Sequence, residues 1–170
     1  MKILYGKSGL KIKLKRGISY TVIRKKEMPH FRDARIPIIK EIRNPLGSLP
    51  LKLLAEKKKN ACIIISDIPI ILEELQNSKM KKEDIKILIA NGMHRESTKG
   101  ELEELVGREI ASEYRIINHD ARDKKNLKYF GKTKRGTPVF INRVYCEADL
   151  KILTGLIEPH FMAGYSGGRK

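Results

Sequence analysis

Several residue types that are common in globular proteins are scarce in this sequence. Tryptophan is absent, aromatic residues make up 6% of the chain, and the two cysteines are Cys62 and Cys146. Because both lie in apolar, strand-like segments, we expect buried free thiols and not a disulfide.

The sequence has no run of 18 apolar residues and no signal-peptide pattern, so we expect a cytoplasmic protein without a membrane partner. No group of His and Cys residues has the spacing of a structural metal site, and we predict no metal ligand in this chain.

Acidic residues are also few in comparison with basic ones. The 170 residues include 36 Lys and Arg but only 20 Asp and Glu, which gives a formal net charge of +16. So basic a chain first suggests nucleic-acid binding. The cations, however, are spread over many short segments, and none of these is a recognised nucleic-acid motif. We therefore favour a solvated Lys- and Glu-rich surface, as in some heat-adapted proteins, with a nucleic-acid face as the alternative.

The chain does contain a regular alternation of apolar runs and helix patterns. Period-2 patterning in residues 1 to 23, with a turn at Lys7-Ser8-Gly9, predicts a small amino-terminal β-hairpin. From residue 61 onward, unbroken apolar runs alternate with helical segments, which is typical of a parallel sheet covered by helices on both faces. The length favours one domain. We therefore predict a single α/β domain over residues 1–170, with a Rossmann-like, mostly parallel sheet and a hairpin extension.

Two helix starts are marked by capping residues. Ser48 is predicted to cap a helix that runs to about Glu56, because leucines at 49, 53 and 54 lie on one face. Ser97 or Thr98 is predicted to cap a helix that ends near Val106, with Glu101 in its first turn.

Four polar residues follow the ends of predicted strands, namely Asp67, His94, His119 and His160. In open α/β sheets, ligands bind outside the carboxyl ends of the strands, so we expect these residues to converge on one crevice. His94 lies in a strand-to-helix loop, where a histidine titrates near neutrality and reaches a substrate. The alternative for His94 is a polar loop residue without a chemical role. For His119 we expect a structural role, with a hydrogen bond to Asp120.

The segment Gly155 to Lys170 combines a proline-fixed histidine with a glycine-rich run that ends in two cations. Pro159 restricts Glu158 to extended conformations and so helps to fix the direction of His160. The run Gly164-Tyr165-Ser166-Gly167-Gly168-Arg169-Lys170 lets backbone N–H groups approach an anion closely. The alternative is a surface loop with a spare histidine.

The Glu-Pro-His and Gly-Gly-Arg-Lys motifs, together with Gly92-x-His94-Arg95, resemble the lactate racemase family that uses a nickel-pincer nucleotide. The resemblance covers about residues 44–170. It implies that His94 and His160 are acid/base residues and that Lys170 carries the cofactor covalently. It further implies that Asp67, Ser166, Gly167 and Gly168 contribute to the cofactor site. The family's Asp-x-Thr-Arg-Pro motif is here Ser66-Asp67-Ile68-Pro69, so its arginine has no counterpart.

The function implied by the resemblance is interconversion of the stereoisomers of a 2-hydroxy acid by hydride and proton transfer. The family's nickel ligand and carboxy-terminal domain are expected beyond Lys170, so we expect these 170 residues alone to be inactive. The expected partners are a small 2-hydroxy acid, that carboxy-terminal domain, and proteins that synthesise the cofactor and insert nickel. A non-catalytic relative that binds a nucleotide or another small anion is one alternative, and a basic nucleic-acid-binding module is the other.

Overall fold

A computed structural model describes residues 1–3, 8–22, 31–64 and 69–167. Three of the candidate site residues, Asp67, Gly168 and Lys170, lie outside these ranges. The chain divides into two compact units, Met1–Arg32 and Asp33–Lys170.

The first unit contains the predicted amino-terminal hairpin. Strand β1 (Lys2–Ile3) pairs antiparallel with β2 (Leu10–Lys11), with Ile3 opposite Leu10. Gly9 adopts a φ of +74°, and a Cβ at this position would lie 2.9 Å from the carbonyl oxygen of Ile3. The close approach of Gly9 to β1 therefore requires glycine at this position, as the turn motif predicted.

The second unit is built on a four-stranded sheet in which every neighbouring pair is parallel. The four strands are β3 (Ala61–Ile64), β4 (Ile85–Ile89), β5 (Arg115–Asn118) and β8 (Leu150–Leu153). Their order across the sheet is β5-β4-β3-β8. The predicted parallel α/β fold is thus confirmed.

Helices cover the two faces of this sheet unequally. Successive residues of a strand point to opposite faces, so Ile63 and Ile87 pack on one side while Cys62 and Leu88 pack on the other. Among the described residues, the first face carries the larger core, formed with five helices, whereas the second is covered by one short helix, α6 (Arg143–Glu147). The five helices are α1 (Arg35–Arg43), α2 (Leu51–Glu56), α3 (Pro69–Asn77), α4 (Lys99–Val106) and α5 (Arg108–Glu113).

The two predicted helix starts have different outcomes. Thr98 caps α4 in a reciprocal capping box with Glu101, so that prediction is confirmed. The prediction for Ser48 is wrong, because α2 begins at Leu51 after Pro50, and the Ser48 hydroxyl donates to the carbonyl of Leu49. A residue that precedes proline is disfavoured in the helical conformation, so a helix cannot continue through Leu49 and Pro50.

Two antiparallel hairpins complete the second unit. Strand β6 (Leu127–Lys132) pairs with β7 (Pro138–Asn142), and β9 (Glu158–His160) pairs with β10 (Gly164–Ser166). Two short 3-10 turns precede β4 and β6, at Lys82–Asp84 and Lys124–Asn126.

Both cysteines are free, as predicted, but they differ in burial. Cys62 is fully buried in β3, and this burial raises the pKa of its thiol to about 11. Cys146 lies half-buried in α6. No helix in the described part of the chain has the length and apolar character needed to cross a membrane.

Candidate functional site

The carboxyl ends of the four parallel strands lie along one edge of the sheet, and the candidate histidines follow three of these ends. His94 comes five residues after the end of β4, His119 directly follows β5, and His160 comes seven residues after the end of β8. Because β3 alone separates β4 from β8, the segments that lead to His94 and His160 leave the sheet about 10 Å apart. Asp67, which follows β3 in sequence, lies outside the described residues.

His94 lies in an exposed loop between β4 and α4. The backbone N–H of His94 donates to the carbonyl of Asn91 at 3.0 Å, and Gly92 adopts a φ of +60° within this turn. A positive φ costs glycine little, which explains the glycine at this point of the loop. Among the described residues, the imidazole of His94 has no hydrogen-bond partner. Its ring nitrogens are therefore free to meet a ligand.

Arg95, the neighbour of His94, is fixed against the start of α4. Its guanidinium donates two hydrogen bonds to the carboxylate of Glu101, at 2.6 and 2.8 Å. The same carboxylate accepts the backbone N–H of Thr98 at 2.8 Å. Hydrogen bonding from Arg95, followed by that from Thr98, lowers the pKa of Glu101 from 4.5 to about 2. The positive charge of Arg95 is thus paired with the carboxylate of Glu101.

Asn118, the last residue of β5, forms hydrogen bonds with both ends of the loop that carries His94, residues Asn91 to Ser97. Its side-chain oxygen accepts hydrogen bonds from the side chain of Asn91 at 2.8 Å and from the backbone N–H of Ser97 at 3.1 Å. Its side-chain nitrogen donates to the carbonyl of Ser97 at 3.3 Å. The sequence motifs gave Asn118 no role, because its partners lie 21 and 27 positions away and only the pairing of β4 with β5 brings them together.

His160 ends strand β9 and is exposed in the β9–β10 hairpin. Its Nδ1 accepts hydrogen bonds from the backbone N–H groups of Met162 and Ala163, each at 3.1 Å. Two donors at Nδ1 require a lone pair there, so the neutral ring carries its proton on Nε2. The hairpin thus fixes both the direction and the tautomer of this imidazole.

The end of the β9–β10 hairpin, at Ser166 and Gly167, lies in close contact with the backbone that leads into the hairpin, at Leu156 to Glu158. Ser166 lies opposite Glu158, and its hydroxyl donates to the carbonyl of Glu158 at 3.4 Å. Gly167 has a φ of +72°, and a Cβ there would lie 2.0 Å from the carbonyl oxygen of Leu156. A side chain at position 167 would therefore force the segments apart.

The predicted hydrogen bond between His119 and Asp120 is wrong. Nδ1 of His119 lies 3.1 Å from the side-chain nitrogen of Asn142, which is buried at the end of β7, and Asp120 accepts instead from the backbone N–H of Arg122. The side-chain oxygen of Asn142 caps α6 by accepting from Val144, so its nitrogen faces His119. These contacts link β5, β7 and α6.

Comparison with known proteins identifies the family to which this chain is similar. The model of the lactate racemase N-terminal domain matches residues 5–170. The chain belongs to this family. It is 40% identical to lactate racemase from Thermoanaerobacterium thermosaccharolyticum over 139 residues, and 40% identical to lactate racemase from Lactiplantibacillus plantarum over 141 residues. These alignments cover 76% and 77% of this chain, but 32% and 33% of the relatives.

Solved structures agree with this assignment. The lactate racemase apoprotein from T. thermosaccharolyticum superposes with a TM-score of 0.79 at 36% identity, over 99% of this chain and 41% of that protein. A protein from Thermotoga maritima shares the fold at 20% identity, with a TM-score of 0.53 over 76% of this chain and 36% of that protein. The chain therefore spans about a third of the length of the lactate racemases that it matches in sequence.

The lactate racemase motifs fall on different elements of the fold. Gly92 to Arg95 forms the loop after β4, and Glu158 to Gly167 forms the β9–β10 hairpin together with the residue that follows it. Gly168 and Lys170, which end the glycine-rich motif, lie outside the described residues. Within the described ranges, no three His, Cys, Asp or Glu side chains are grouped as metal ligands.

Proposed function

We propose that this chain is the amino-terminal part of a lactate racemase-type isomerase, which interconverts the stereoisomers of a small 2-hydroxy acid. The observation that carries the proposal is that the loops bearing His94 and His160 leave the same edge of one parallel sheet, about 10 Å apart at their bases. The lactate racemases at 40% identity support the reaction type. These alignments cover about a third of the relatives' length.

The two histidines would move the hydroxyl proton of the substrate. Racemisation removes a hydride from the carbon and a proton from the hydroxyl, which gives a flat 2-keto acid. Return of the hydride to the other face, with return of a proton to the oxygen, gives the mirror image. Histidine suits this proton transfer because its ordinary pKa lies near neutrality. We assign the proton transfers on the two sides of the substrate to His94 and His160.

The hydrogen bonds of the rings give the two histidines different resting roles. The imidazole of His94 is exposed and has no partner among the described residues, so it is free to accept a proton. Nδ1 of His160 accepts from two backbone N–H groups, so Nε2 of the neutral ring can donate a hydrogen bond to the substrate oxygen. To give up a proton to that oxygen, the ring must first be protonated at Nδ1, which requires release of these two N–H groups. With the mirror-image substrate the roles exchange. The ring of His160 must then release Met162 and Ala163, so that Nε2 can accept a proton.

The cofactor of the proposed reaction is a nickel-pincer nucleotide, and when bound it supplies the acceptor for the hydride. Lys170 would hold it covalently, and Asp67, Ser166, Gly167 and Gly168 would line its site. The described residues of this set are Ser166 and Gly167. Gly167 is exposed, so an anionic group can approach its backbone, although the carbonyl oxygen of Leu156 fills the space that a side chain would take. The proposal also requires proteins that synthesise the cofactor and insert nickel, and a carboxy-terminal domain that completes the site.

The test is racemisation of D- and L-lactate, followed by chiral chromatography, with the cofactor-loaded complete enzyme that contains these residues and the carboxy-terminal domain. His94→Gln and His160→Gln should each lower turnover by about 10²- to 10⁴-fold, the usual value of a positioned acid or base. His30→Gln is the control for loss of a histidine, and it should retain normal turnover. Near-normal turnover in both directions by either site variant would refute the two-histidine assignment. Intact mass should show covalent cofactor on the wild-type protein but not on Lys170→Ala.

A further inference from the structure

Residues Asn91 to Ser97, here called the His94 loop, are joined at their two ends by one side chain that belongs to another strand. The amide of Asn118 forms two hydrogen bonds with the backbone of Ser97 and one with the side chain of Asn91. Its orientation is fixed, because the backbone N–H of Ser97 can only donate and the carbonyl of Ser97 can only accept. The side-chain oxygen must therefore face Asn91 and the Ser97 N–H.

Asn118 itself has a rigid position in the sheet. It is the last residue of β5 and pairs with Ile89, the last residue of β4. The next backbone N–H, that of His119, also donates to the carbonyl of Ile89 at 3.0 Å. The loop is thus held by a residue whose backbone is paired with the neighbouring strand. Loops positioned by such scaffolds often carry functional residues.

The position of His94 depends on these ends because the described residues offer its imidazole no hydrogen bond. Arg95 is tied to Glu101, which steadies the loop on the side of α4. Asn118 bonds to Asn91 at the β4 end of the loop and to Ser97 at its α4 end. A histidine that transfers protons must be held within hydrogen-bond reach of its substrate, and small displacements lower the rate steeply.

We propose that Asn118 is a positioning residue for His94, in that its side-chain amide fixes both ends of the His94 loop at the sheet edge. The link to catalysis rests on the racemase function proposed above. The structural part does not, since it concerns contacts within this chain alone. Asn118 contacts no substrate in this role and acts through the His94 loop.

The first experiment measures the loop directly in the unliganded protein by NMR. Asn118→Leu removes all three hydrogen bonds with little change in size, and should speed amide hydrogen exchange at Ser97 by about tenfold and shift the ring resonances of His94. Asn118→Asp keeps the accepting oxygen, so its exchange rate and ring signals should stay closer to wild type. Asn44→Leu is the matched control, because Asn44 donates one hydrogen bond to Lys40 at the end of α1.

Unchanged Ser97 exchange and unchanged His94 signals in Asn118→Leu would overturn the proposal. It would also be overturned if Asn118→Asp behaved like the leucine variant, or if Asn44→Leu produced the same changes. In the cofactor-loaded protein, Asn118→Leu should lower kcat more than it changes KM for lactate. A displaced His94 with normal kcat would refute the catalytic link. Absence of racemisation by the cofactor-loaded complete enzyme that contains these residues would refute the proposed function, while the NMR data would still decide the role of Asn118.

Discussion

Glu101 is the residue on which several contacts of the candidate site converge. Its carboxylate accepts two hydrogen bonds from Arg95, and it completes the capping box of α4 with Thr98. These donors favour the charged carboxylate, which is why the pKa of Glu101 falls to about 2 although the side chain is exposed. One ionised group therefore joins the residue after His94 to the first turn of the next helix.

The depressed pKa of Glu101 predicts a pH-dependent contribution to stability. Because the pKa is lower in the folded state, this contribution is complete above about pH 4.5 and disappears as the pH falls toward about 2. Urea unfolding between pH 5 and pH 2 should show a smaller acid loss for Glu101→Gln than for wild type. Glu147→Gln, which removes an exposed carboxylate in α6, should follow wild type. Equal acid losses in wild type and Glu101→Gln would contradict the prediction.

The central strands β3 and β4 carry the core that supports the functional edge. Ile63, Ile85 and Ile87 are fully buried between this sheet and the helices on its larger face. Strand β4 ends where the His94 loop begins, so packing beneath it also fixes the base of that loop. Loss of core volume should thus affect the whole second unit and not one loop.

Ile87→Ala should lower the free energy of unfolding by about 2–5 kcal/mol, because it removes buried methyl groups and leaves a cavity in a strand with neighbours on both sides. The matched control is Leu46→Ala. Leu46 is 97% exposed, and its truncation should change stability by less than about 0.5 kcal/mol. Urea denaturation followed by circular dichroism gives both values. A cost for Ile87→Ala no larger than that of the control would show that β4 does not carry the core.

The whole molecule has a large surplus of positive charge. Residues 124–143 illustrate it, with seven Lys and Arg and no Asp or Glu. Ion pairs among the described residues engage some cations, but pairing leaves the net charge of +16 unchanged. The cations of these ion pairs are Arg35, Arg43, Lys81, Lys82, Arg95 and Arg108. The remaining like charges repel one another in the compact state more than in the unfolded chain.

Screening of this repulsion should stabilise the protein. Raising NaCl from about 10 mM to about 150 mM shortens the screening length from about 30 Å to about 8 Å. We expect the Tm, measured by differential scanning fluorimetry, to rise over this range. An equal osmolality of sucrose at low salt is the control, and it should not reproduce the dependence on ionic strength. A Tm that falls with added NaCl would indicate that the exposed ion pairs outweigh the repulsion.

The amino-acid sequence was sufficient wherever the deciding interactions are local. The capping box of Thr98 and Glu101 spans three residues, and the turn glycine of the first hairpin acts through its own backbone. Apolar runs that alternate with helices require both faces of the strands to be covered, which leads to a parallel sheet. Parallel strands place their carboxyl ends at one edge, so it also followed that the segments leading to His94 and His160 leave the same edge of the sheet.

Tertiary structure was needed for contacts between residues distant in sequence. The pairing of His119 with Asn142, and not with Asp120, depends on where β7 and α6 lie beside β5. The hydrogen bonds of Asn118 with Asn91 and Ser97 depend on the pairing of β5 with β4. Strand order sets these neighbours, and hydropathy patterns are the same for many orders. A short polar side chain finds its partners only after the strands have been placed, because its hydrogen bonds reach about 3 Å.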